Sequence, residues 1–333
     1  MIRIPFDQVQ QMCRRVLESR NMSEEDALLC SRLIAQTSLE GVYTHGLNRF
    51  PWMIRKIDAG NMLVDKHAQK VGSFGVLERW DGMGGVGNLN AHTCMQRAIA
   101  LAKEHTIGCV ALKNTTHWMR PGTYGLMAAE AGCIGILWTN TMPLMPAWGA
   151  TNATVGNNPL VLAIPNKDEP VLVDMAMSLF SYGKLETYAR EERELPVPGG
   201  YDEQGNLTTD AKKIMEIRRP LPVGFWKGTS LALALDLIAA ALSGGATTRR
   251  IGLEEGELEA SQVFFAIDIS AFPDRKQIEE EIAASLAQIK DSKREDPSVP
   301  IRFPGEKRLA LRQENLELGI PVDERIWDEI CSL

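Results

Sequence analysis

The stretch Cys133-Ile-Gly-Ile-Leu-Trp138 has no charged residue and is too short for a stable helix. Strands that are buried on both faces of a sheet have continuous apolar runs of this length. Two helical patterns, over 88–106 and 122–131, lie among such runs, and this alternation predicts an α/β fold. The other runs of the same kind are Cys109-Val-Ala-Leu112, Pro159-Leu-Val-Leu-Ala-Ile164 and Val171-Leu-Val173.

The two ends of the chain have helical patterns instead. A capping box, Ser23-Glu-Glu-Asp26, precedes one predicted N-terminal helix, and another helix is expected over 47–59. We therefore expect a sheet body over 71–272 and a helical cap formed by residues 1–70 together with 273–333. Within these units the sequence also predicts a strand over 74–80, a core helix over 227–242, a strand over 263–267 and an amphipathic helix over 273–293.

Composition and charge exclude several classes of protein. The 333 residues are 44% hydrophobic and 24% charged, which are ordinary values for a globular chain with a sizeable core. The 36 Lys and Arg against 43 Asp and Glu give a net charge of −7. This balance argues against a nucleic-acid partner and against a polybasic membrane anchor, since both need excess positive charge.

The apolar segments and the cysteines indicate a cytoplasmic protein. The longest apolar stretch, 231–242, is shorter than the roughly 20 residues that span a membrane, so it predicts a buried core helix that Gly244 ends. The N-terminus lacks the basic start and apolar core of a signal peptide. The six cysteines include no C-x-x-C pair, and we expect reduced, mostly buried thiols.

The glycine run, Gly82-Met-Gly84-Gly85-Val-Gly87, fits the G-x-G-x-x-G pattern between a predicted strand and a predicted helix. In a dinucleotide fold such glycines let a pyrophosphate approach the helix N-terminus. The ribose-binding acid of that fold should end a second strand about 20 residues further on. Glu104 is the acid in this region, but it lies inside a predicted helix. A tight turn that enters the helix is the other interpretation.

His45 and Arg49 are four residues apart, so on a helix they share a face. Imidazole can donate a proton near neutral pH, and guanidinium can bind a carboxylate with two parallel hydrogen bonds. The pair could therefore protonate an oxyanion while holding a neighbouring carboxylate; the alternative is a surface histidine beside a solvated arginine. No two of the five histidines have the i, i+4 spacing of a helical metal pair, and we expect no metal site.

Three further groups of polar residues are candidates for the same site. His117-Trp-Met-Arg120 follows a predicted strand, where α/β sheets usually bind ligands. Asp174 ends another strand, where it could orient a catalytic base or cap the turn that follows. Lys227 puts a cation at a helix start, which is unfavourable for the helix dipole unless an anion lies nearby, so it favours a phosphate or carboxylate ligand.

Taken together, six ordered motifs resemble the malate/L-lactate dehydrogenase family of nicotinamide oxidoreductases, nearly from end to end. The resemblance implies a mixed sheet without a Rossmann domain, and it favours the turn interpretation of the glycine run. It also implies a homodimer that binds NADH, or alternatively NADPH. The motifs are Gly41-Val-Tyr-Thr-His45-Gly-Leu-Asn-Arg49-Phe50, Asn114-Thr-Thr-His117-Trp-Met-Arg120, Gly156-Asn-Asn158-Pro159-Leu160, Val173-Asp174-Met-Ala-Met-Ser178-Leu-Phe-Ser-Tyr-Gly183, Trp226-Lys227-Gly228 and Pro304-Gly305-Glu306.

The resemblance also implies a role for each motif. His45 would be the proton donor, with the Thr44 hydroxyl as a relay where many relatives have serine, and Arg49 and His117 would contact the substrate. Arg120, Asn158 and the Trp118 indole could meet substrate hydroxyls. The residues implied to line the cofactor are Leu172, Val173, Asp174, Met175, Ala176, Met177, Ser178, Trp226, Lys227, Gly305 and Glu306.

The expected reaction is reduction of a 2-keto group beside a carboxylate. Trp118-Met-Arg120 stands where many relatives have a small aromatic-glycine pair, and this favours a sugar-derived 2-oxo acid over malate and lactate. Another 2-oxo-acid reductase or a cyclic-imine reductase of the same family is the alternative among enzymes. An inactive cofactor-binding scaffold is the alternative from another class.

Overall fold

The structure, a computed structural model, describes residues 1–253 and 259–333. The strands are β1 (Ile2–Ile4), β2 (Gln69–Phe74), β3 (Leu77–Asp81), β4 (Ile107–Thr115), β5 (Cys133–Thr139), β6 (Met145–Pro146), β7 (Ala153–Val155), β8 (Leu160–Ile164), β9 (Val171–Met175), β10 (Gly200–Tyr201), β11 (Leu207–Thr208), β12 (Ala260–Asp268) and β13 (Ile320–Val322). The α-helices are α1 (Phe6–Glu18), α2 (Glu24–Leu39), α3 (Phe50–Asp58), α4 (Gly87–His105), α5 (Gly122–Glu130), α6 (Tyr182–Arg190), α7 (Ala211–Ile217), α8 (Trp226–Ser243), α9 (Thr248–Ile251), α10 (Arg275–Lys290), α11 (Arg308–Leu318) and α12 (Glu324–Ser332).

A seven-stranded mixed sheet forms the body, in the order β2-β3-β4-β12-β5-β8-β9. Only the β3/β4 pair is parallel; the other neighbouring strands run antiparallel. The prediction of an α/β fold with a mixed, non-Rossmann sheet is confirmed. The single strand expected over 74–80 is wrong, because Gly75 has a φ of +63° and turns the chain between β2 and β3.

Helices cover both faces of this sheet. On one face, α4 and α5 pack against Val110, Leu137 and Phe264 in a fully buried cluster. On the other face, α8 packs through Ala232, Leu235 and Ala239. Gly244, with a φ of +69°, ends α8 as the sequence predicted. None of the helices in the described parts of the chain is both long and apolar enough to cross a membrane.

The expectation that α8 is a buried helix is wrong in the single chain. Leu233, Leu237 and Ile238 are 50%, 52% and 44% exposed. The helix is apolar all round, and only the stripe that faces the sheet is covered. Asp236, which interrupts the apolar run, is buried. Its Oδ1 accepts hydrogen bonds from Asn140 Nδ2 and from the backbone N–H of Thr248, which compensate for the loss of water around the carboxylate.

The two ends of the chain pack together. β1 pairs antiparallel with β13, and α12 packs against α1 and α3. Residues from both ends share one hydrophobic cluster, which also includes Val86, Leu89 and Met119. The helix α10, by contrast, has no buried residue. The domain boundaries at 70/71 and 272/273 stay a prediction.

The glycine run forms the tight turn that leads into α4. A Cβ on Gly85 would lie 2.2 Å from the Lys66 carbonyl oxygen, and one on Gly87 would lie 2.3 Å from that of Thr116. Gly84 has a φ of +71°, in the left-handed region that favours glycine. These glycines are therefore needed for close backbone packing, in agreement with the turn interpretation.

Candidate active site

A cavity of about 360 Å³ lies at the carboxyl ends of β4, β5 and β9, which run in the same direction through the sheet. The N-terminal segment before α3 and the start of α6 close its other sides. Its lining brings together residues that lie far apart in the sequence. Those with polar or aromatic side chains include Thr44, His45, Arg49, Trp52, His117, Trp118, Thr139, Thr141, Asn157, Asp174, Ser181, Tyr182 and Glu186.

Two short 3₁₀ turns, Tyr43–His45 and Leu47–Arg49, carry His45 and Arg49 to the cavity. The expectation that the two residues share a helix face is wrong, because Gly46, with φ −104° and ψ −124°, breaks the helical path. A Cβ on Gly46 would lie 2.3 Å from Ser38 Oγ, which also accepts a hydrogen bond from the backbone N–H of Leu47. This close contact with α2 fixes the double turn, and both side chains still reach one cavity.

The surroundings of His45 keep its imidazole neutral. Burial, followed by the charges of Arg49 and Arg120, lowers its pKa to about 4. The Thr44 hydroxyl lies 3.0 Å from His45 Nδ1. If the hydroxyl donates to Nδ1, the neutral ring carries its proton on Nε2, and Thr44 is placed to relay a proton to Nδ1.

His117 is a second neutral imidazole beside the first. Its Nδ1 accepts a hydrogen bond of 3.1 Å from the backbone N–H of Met119, which places the ring proton on Nε2. Its ring is stacked on His45 at a centroid distance of 6.0 Å and lies edge-on to Trp52 at 5.4 Å. Burial, with the charges of His45 and Arg49, lowers the pKa of His117 well below its usual range. His117 is thus suited to donate a hydrogen bond as a neutral group.

Arg49 is held at the cavity by two neighbours. Its Nη2 donates to Glu186 Oε2 at 3.0 Å and its Nη1 to Glu186 Oε1 at 3.4 Å. Its guanidinium lies 5.5 Å from the centre of the Trp52 ring. Guanidinium has five N–H donors, and this arrangement leaves others free to bind a carboxylate.

Asp174 lies at the end of β9, where it is exposed and lines the cavity wall. Its Oδ2 accepts a hydrogen bond of 2.9 Å from the backbone N–H of Gly122, at the start of α5. Desolvation at the cavity wall raises the pKa of Asp174, while the charge of Arg120 opposes this shift. The carboxylate thus meets α5 rather than the turn over 175–178, and it also lines the cavity; its role in orienting a catalytic base stays a prediction.

Three residues predicted to contact the substrate, Arg120, Asn158 and Trp118, are buried in the structure. Arg120 is buried in an ion-pair network with Glu40, which also binds Arg308, and it does not line the cavity of His45. Asn158 is fully buried and joins Thr141 N to Ala232 O. Trp118 lines the cavity but is 1% exposed.

The three segments predicted to line the cofactor, which we call the joined surface, are linked by backbone hydrogen bonds. The backbone N–H of Leu172 donates to Pro304 O at 2.9 Å, which joins β9 to the segment of Gly305 and Glu306. At the other end, the N–H of Val223 donates to Met177 O at 2.8 Å, just before α8 begins. Met175 and Trp226 are exposed along this surface, at 39% and 57%.

Trp52, Tyr182 and Glu186 were missed by the sequence reasoning. The motif that ends at Tyr182-Gly183 pointed to the start of α6, and Glu186 is one helical turn after Gly183. Helical spacing from that motif was the signal that could have found it. Within residues 1–253 and 259–333, no group of three or more His, Cys, Asp or Glu is arranged to hold a metal ion.

Comparisons with known proteins identify the class. The chain belongs to the malate/L-lactate dehydrogenase family, whose model matches residues 4–331. The 2,3-diketo-L-gulonate reductase of Citrobacter koseri is 42% identical over 334 residues, with 100% of both chains covered. The family resemblance that the six motifs carried is thereby confirmed, as is the prediction of an oxidoreductase that acts on hydroxy or oxo acids.

Solved structures agree with this assignment. The malate dehydrogenase of Pyrococcus horikoshii OT3 is 31% identical, with a TM-score of 0.88, and the match covers 98% of this chain and 93% of that one. The sulfolactate dehydrogenase of Methanocaldococcus jannaschii is 26% identical, with a TM-score of 0.88, and the match covers 99% and 95%. The mixed sheet described above is therefore the fold of this family.

Proposed function

We propose that the protein reduces the 2-keto group of a sugar-derived 2-oxo acid with NADH, and that its substrate is 2,3-diketo-L-gulonate, which becomes 3-keto-L-gulonate. The observation that carries this proposal is the meeting of His45, His117 and Arg49 in one cavity. Two hydrogen-bond donors and a carboxylate-binding cation are what a 2-oxo acid needs. The substrate is taken from the name of the Citrobacter koseri relative.

In this proposal each side chain has a distinct task. The free N–H groups of Arg49 bind the substrate carboxylate, and His117 donates a hydrogen bond from Nε2 to the keto oxygen. His45, protonated when the anionic substrate binds, transfers its Nε2 proton to that oxygen and is left neutral. Thr44 later relays a solvent proton to Nδ1, accepting one as it donates its own. An anionic substrate beside His45 raises the pKa of the imidazole from its low value, because opposite charge favours the protonated form.

NADH is the cofactor in this proposal, and the residues of the joined surface suit a nicotinamide dinucleotide. The joined surface of β9, Gly305 and the start of α8 has an exposed aromatic ring at Trp226 and a cation at Lys227. These features suit a flat base or nicotinamide ring and a pyrophosphate, respectively. Met175, Ala176 and Asp174 would hold the end nearest the cavity, where the bound cofactor supplies a hydride. NADPH is the alternative, since no acidic or basic ribose-binding residue is recognised within residues 1–253 and 259–333 to distinguish the two.

A homodimer is proposed for the working enzyme. The exposed Leu233, Leu237 and Ile238 on α8 form an apolar face that a second copy of the chain would cover. We also propose a cytoplasmic location, which the buried thiols of five of the six cysteines support.

A substrate panel tests the proposed function. The purified protein is mixed with NADH or NADPH and with diketogulonate, oxaloacetate, pyruvate, a ureidoglycolate-type acid or a cyclic imine, and the nucleotide absorbance is followed. We expect the highest kcat/KM with diketogulonate and NADH. A higher value with another acid or with the imine would reassign the substrate within the family. Nucleotide binding without turnover of any compound would favour the scaffold alternative.

A further inference from the structure

The charges around the cavity are unusual for a site that binds an anion. Among the described residues that line it, Arg49 is the one Lys or Arg, whereas Asp174 and Glu186 both carry carboxyl groups. The two histidines add no positive charge at neutral pH, because burial lowers the pKa of each. The cavity thus offers one cation to an incoming acid.

Glu186 already shares that cation. Its two oxygens accept from the two terminal nitrogens of Arg49, and its side chain is 48% exposed whereas that of Arg49 is 16% exposed. The carboxylate therefore lies on the outer side of the guanidinium, toward the mouth of the cavity. Oxygen atoms in this position keep lone pairs free to accept hydrogen bonds from substrate hydroxyls.

The helix that carries Glu186 is fixed in place. A Cβ on Gly183 would lie 2.9 Å from Thr44 Cβ and 3.6 Å from Arg49 Nη2, so α6 is packed directly against the segment that carries His45. Ser181 caps the helix by accepting from the backbone N–H of Lys184. A ligand that fills the cavity therefore contacts Glu186, because the packing and capping of α6 keep this helix from moving away from the cavity.

We propose that Glu186 is a specificity-determining residue: it admits 2-oxo acids that have one carboxylate and a hydroxylated tail, and it disfavours dicarboxylates. This inference rests on the proposed function. The substrate carboxylate uses the inner N–H groups of Arg49, and the tail hydroxyls donate to Glu186. A second carboxylate in the tail would face the like charge of Glu186, and the two carboxylates would repel each other even though the Glu186 side chain is half exposed.

The test compares substrates that differ in the tail. Kinetics with diketogulonate, hydroxypyruvate and oxaloacetate are measured for the wild type, Glu186→Gln and Glu186→Asp. We expect Glu186→Gln to raise kcat/KM for oxaloacetate relative to the hydroxylated acids by about tenfold, and Glu186→Asp, which keeps the charge, to preserve the wild-type preference. Glu191→Gln is the matched control, because Glu191 ends the same helix and pairs with Arg193 outside the cavity.

A binding measurement separates this inference from the proposed function. Glycerate and tartronate differ only in a hydroxymethyl group against a carboxylate, and calorimetry gives the affinity of each without turnover. Glu186→Gln should tighten tartronate binding relative to glycerate even if the wild type reduces none of the oxo acids. An unchanged glycerate-to-tartronate ratio would overturn the inference. Equal losses for both ligands would overturn it too, since Glu186 would then only position Arg49.

Discussion

Two short segments of this chain carry the most recognisable motifs, and they are used in opposite ways. The histidine segment, Thr44–Arg49, lies in two 3₁₀ turns, and its Thr44, His45 and Arg49 side chains line the cavity. The glycine run, Gly82–Gly87, does not line this cavity and instead packs backbone against backbone. A motif that resembles a nucleotide-binding loop therefore serves the fold, while an irregular segment without a regular helix serves the chemistry.

The two segments are nevertheless connected. A Cβ on Gly87 would lie 2.4 Å from the carbonyl oxygen of His117, so the glycine run supports the loop that brings His117 beside His45. Gly87 can therefore affect the site only through the backbone of this loop. Changes in the histidine segment should alter catalysis with little loss of stability, whereas changes at the other glycines of the run should lower stability with little effect on catalysis.

The largest expected effect is that of His45→Ala. A positioned general acid contributes roughly 10²–10⁴-fold to the rate, and kcat should fall by about that factor. NADH binding, measured by fluorescence titration, should stay close to wild type. His105→Ala is the control, because His105 is exposed and pairs with Glu104 outside the cavity. A His45→Ala protein that kept more than about a tenth of wild-type kcat would remove His45 from the proton transfer.

The second expected effect concerns stability at acid pH. The folded-state pKa of His45 is about 4, below the value of roughly 6.5 in an unfolded chain. As pH falls from 6.5 to 4, the unfolded state therefore takes up a proton that the folded state does not. This difference lowers the free energy of unfolding by up to roughly 3 kcal/mol.

The neutral variant His45→Gln tests this contribution. Its free energy of unfolding should fall less steeply than that of the wild type between pH 6.5 and 4, in denaturant titrations at one fixed protein concentration. The carboxylates contribute equally to both proteins and cancel in the difference, whereas His117, whose pKa the charge of His45 also lowers, contributes to the difference. Parallel curves would show that burial of the neutral His45 ring adds nothing to the pH dependence.

The sequence predicted the body of the fold better than the site. β4, β5, β8, β9 and β12 were predictable because strands buried on both faces have continuous apolar runs. The turn at Gly75 was not predictable, because a positive φ leaves no trace in the spacing of apolar residues. The exposed face of α8 was not predictable either, because an apolar face has the same sequence pattern whether or not it is covered. His45 and Arg49 were identified from chemistry, although the helix that was meant to join them does not exist.

Glu186 shows where sequence reasoning stops. It is 137 residues from Arg49, and nothing in either local pattern indicates that the two side chains meet. Arg120 shows the converse case: its neighbours in sequence line the cavity, while its own side chain is directed to Glu40. Ion pairs of this kind depend on tertiary packing, so only the structure assigns the partner.

The third expected effect is that of Arg49→Lys. Lysine keeps the charge but loses the planar guanidinium, so kcat/KM for the keto acid should fall about tenfold, which corresponds to roughly 1.4 kcal/mol. An uncharged ester of the same acid should lose almost nothing, because it has no carboxylate for Arg49 to bind. Arg55→Lys is the control, since Arg55 pairs with Glu329 on the surface. Equal losses for acid and ester would make Arg49 a support of the fold around His45.

The smallest expected effect tests the glycine run directly. Gly84 has a φ of +71°, and its backbone N–H donates to Asn114 O at 2.8 Å, so alanine must adopt a left-handed conformation there. Gly84→Ala should lower the free energy of unfolding by about 1 kcal/mol, measured by denaturant titration. Gly60 has the same φ of +71° with open space around it, at the end of α3. Gly60→Ala is therefore a matched control for the cost of the backbone conformation alone.

The two glycine variants also decide between the interpretations of the run. If it is a structural turn, both should destabilise the protein to a similar degree, and the Kd for NADH should change less than about twofold in either. A large loss of NADH affinity confined to a folded Gly84→Ala protein would mean that the cofactor approaches the backbone at this turn. The dinucleotide-binding interpretation would then return, and the surface formed by β9, Gly305 and the start of α8 would lose its role as the cofactor site.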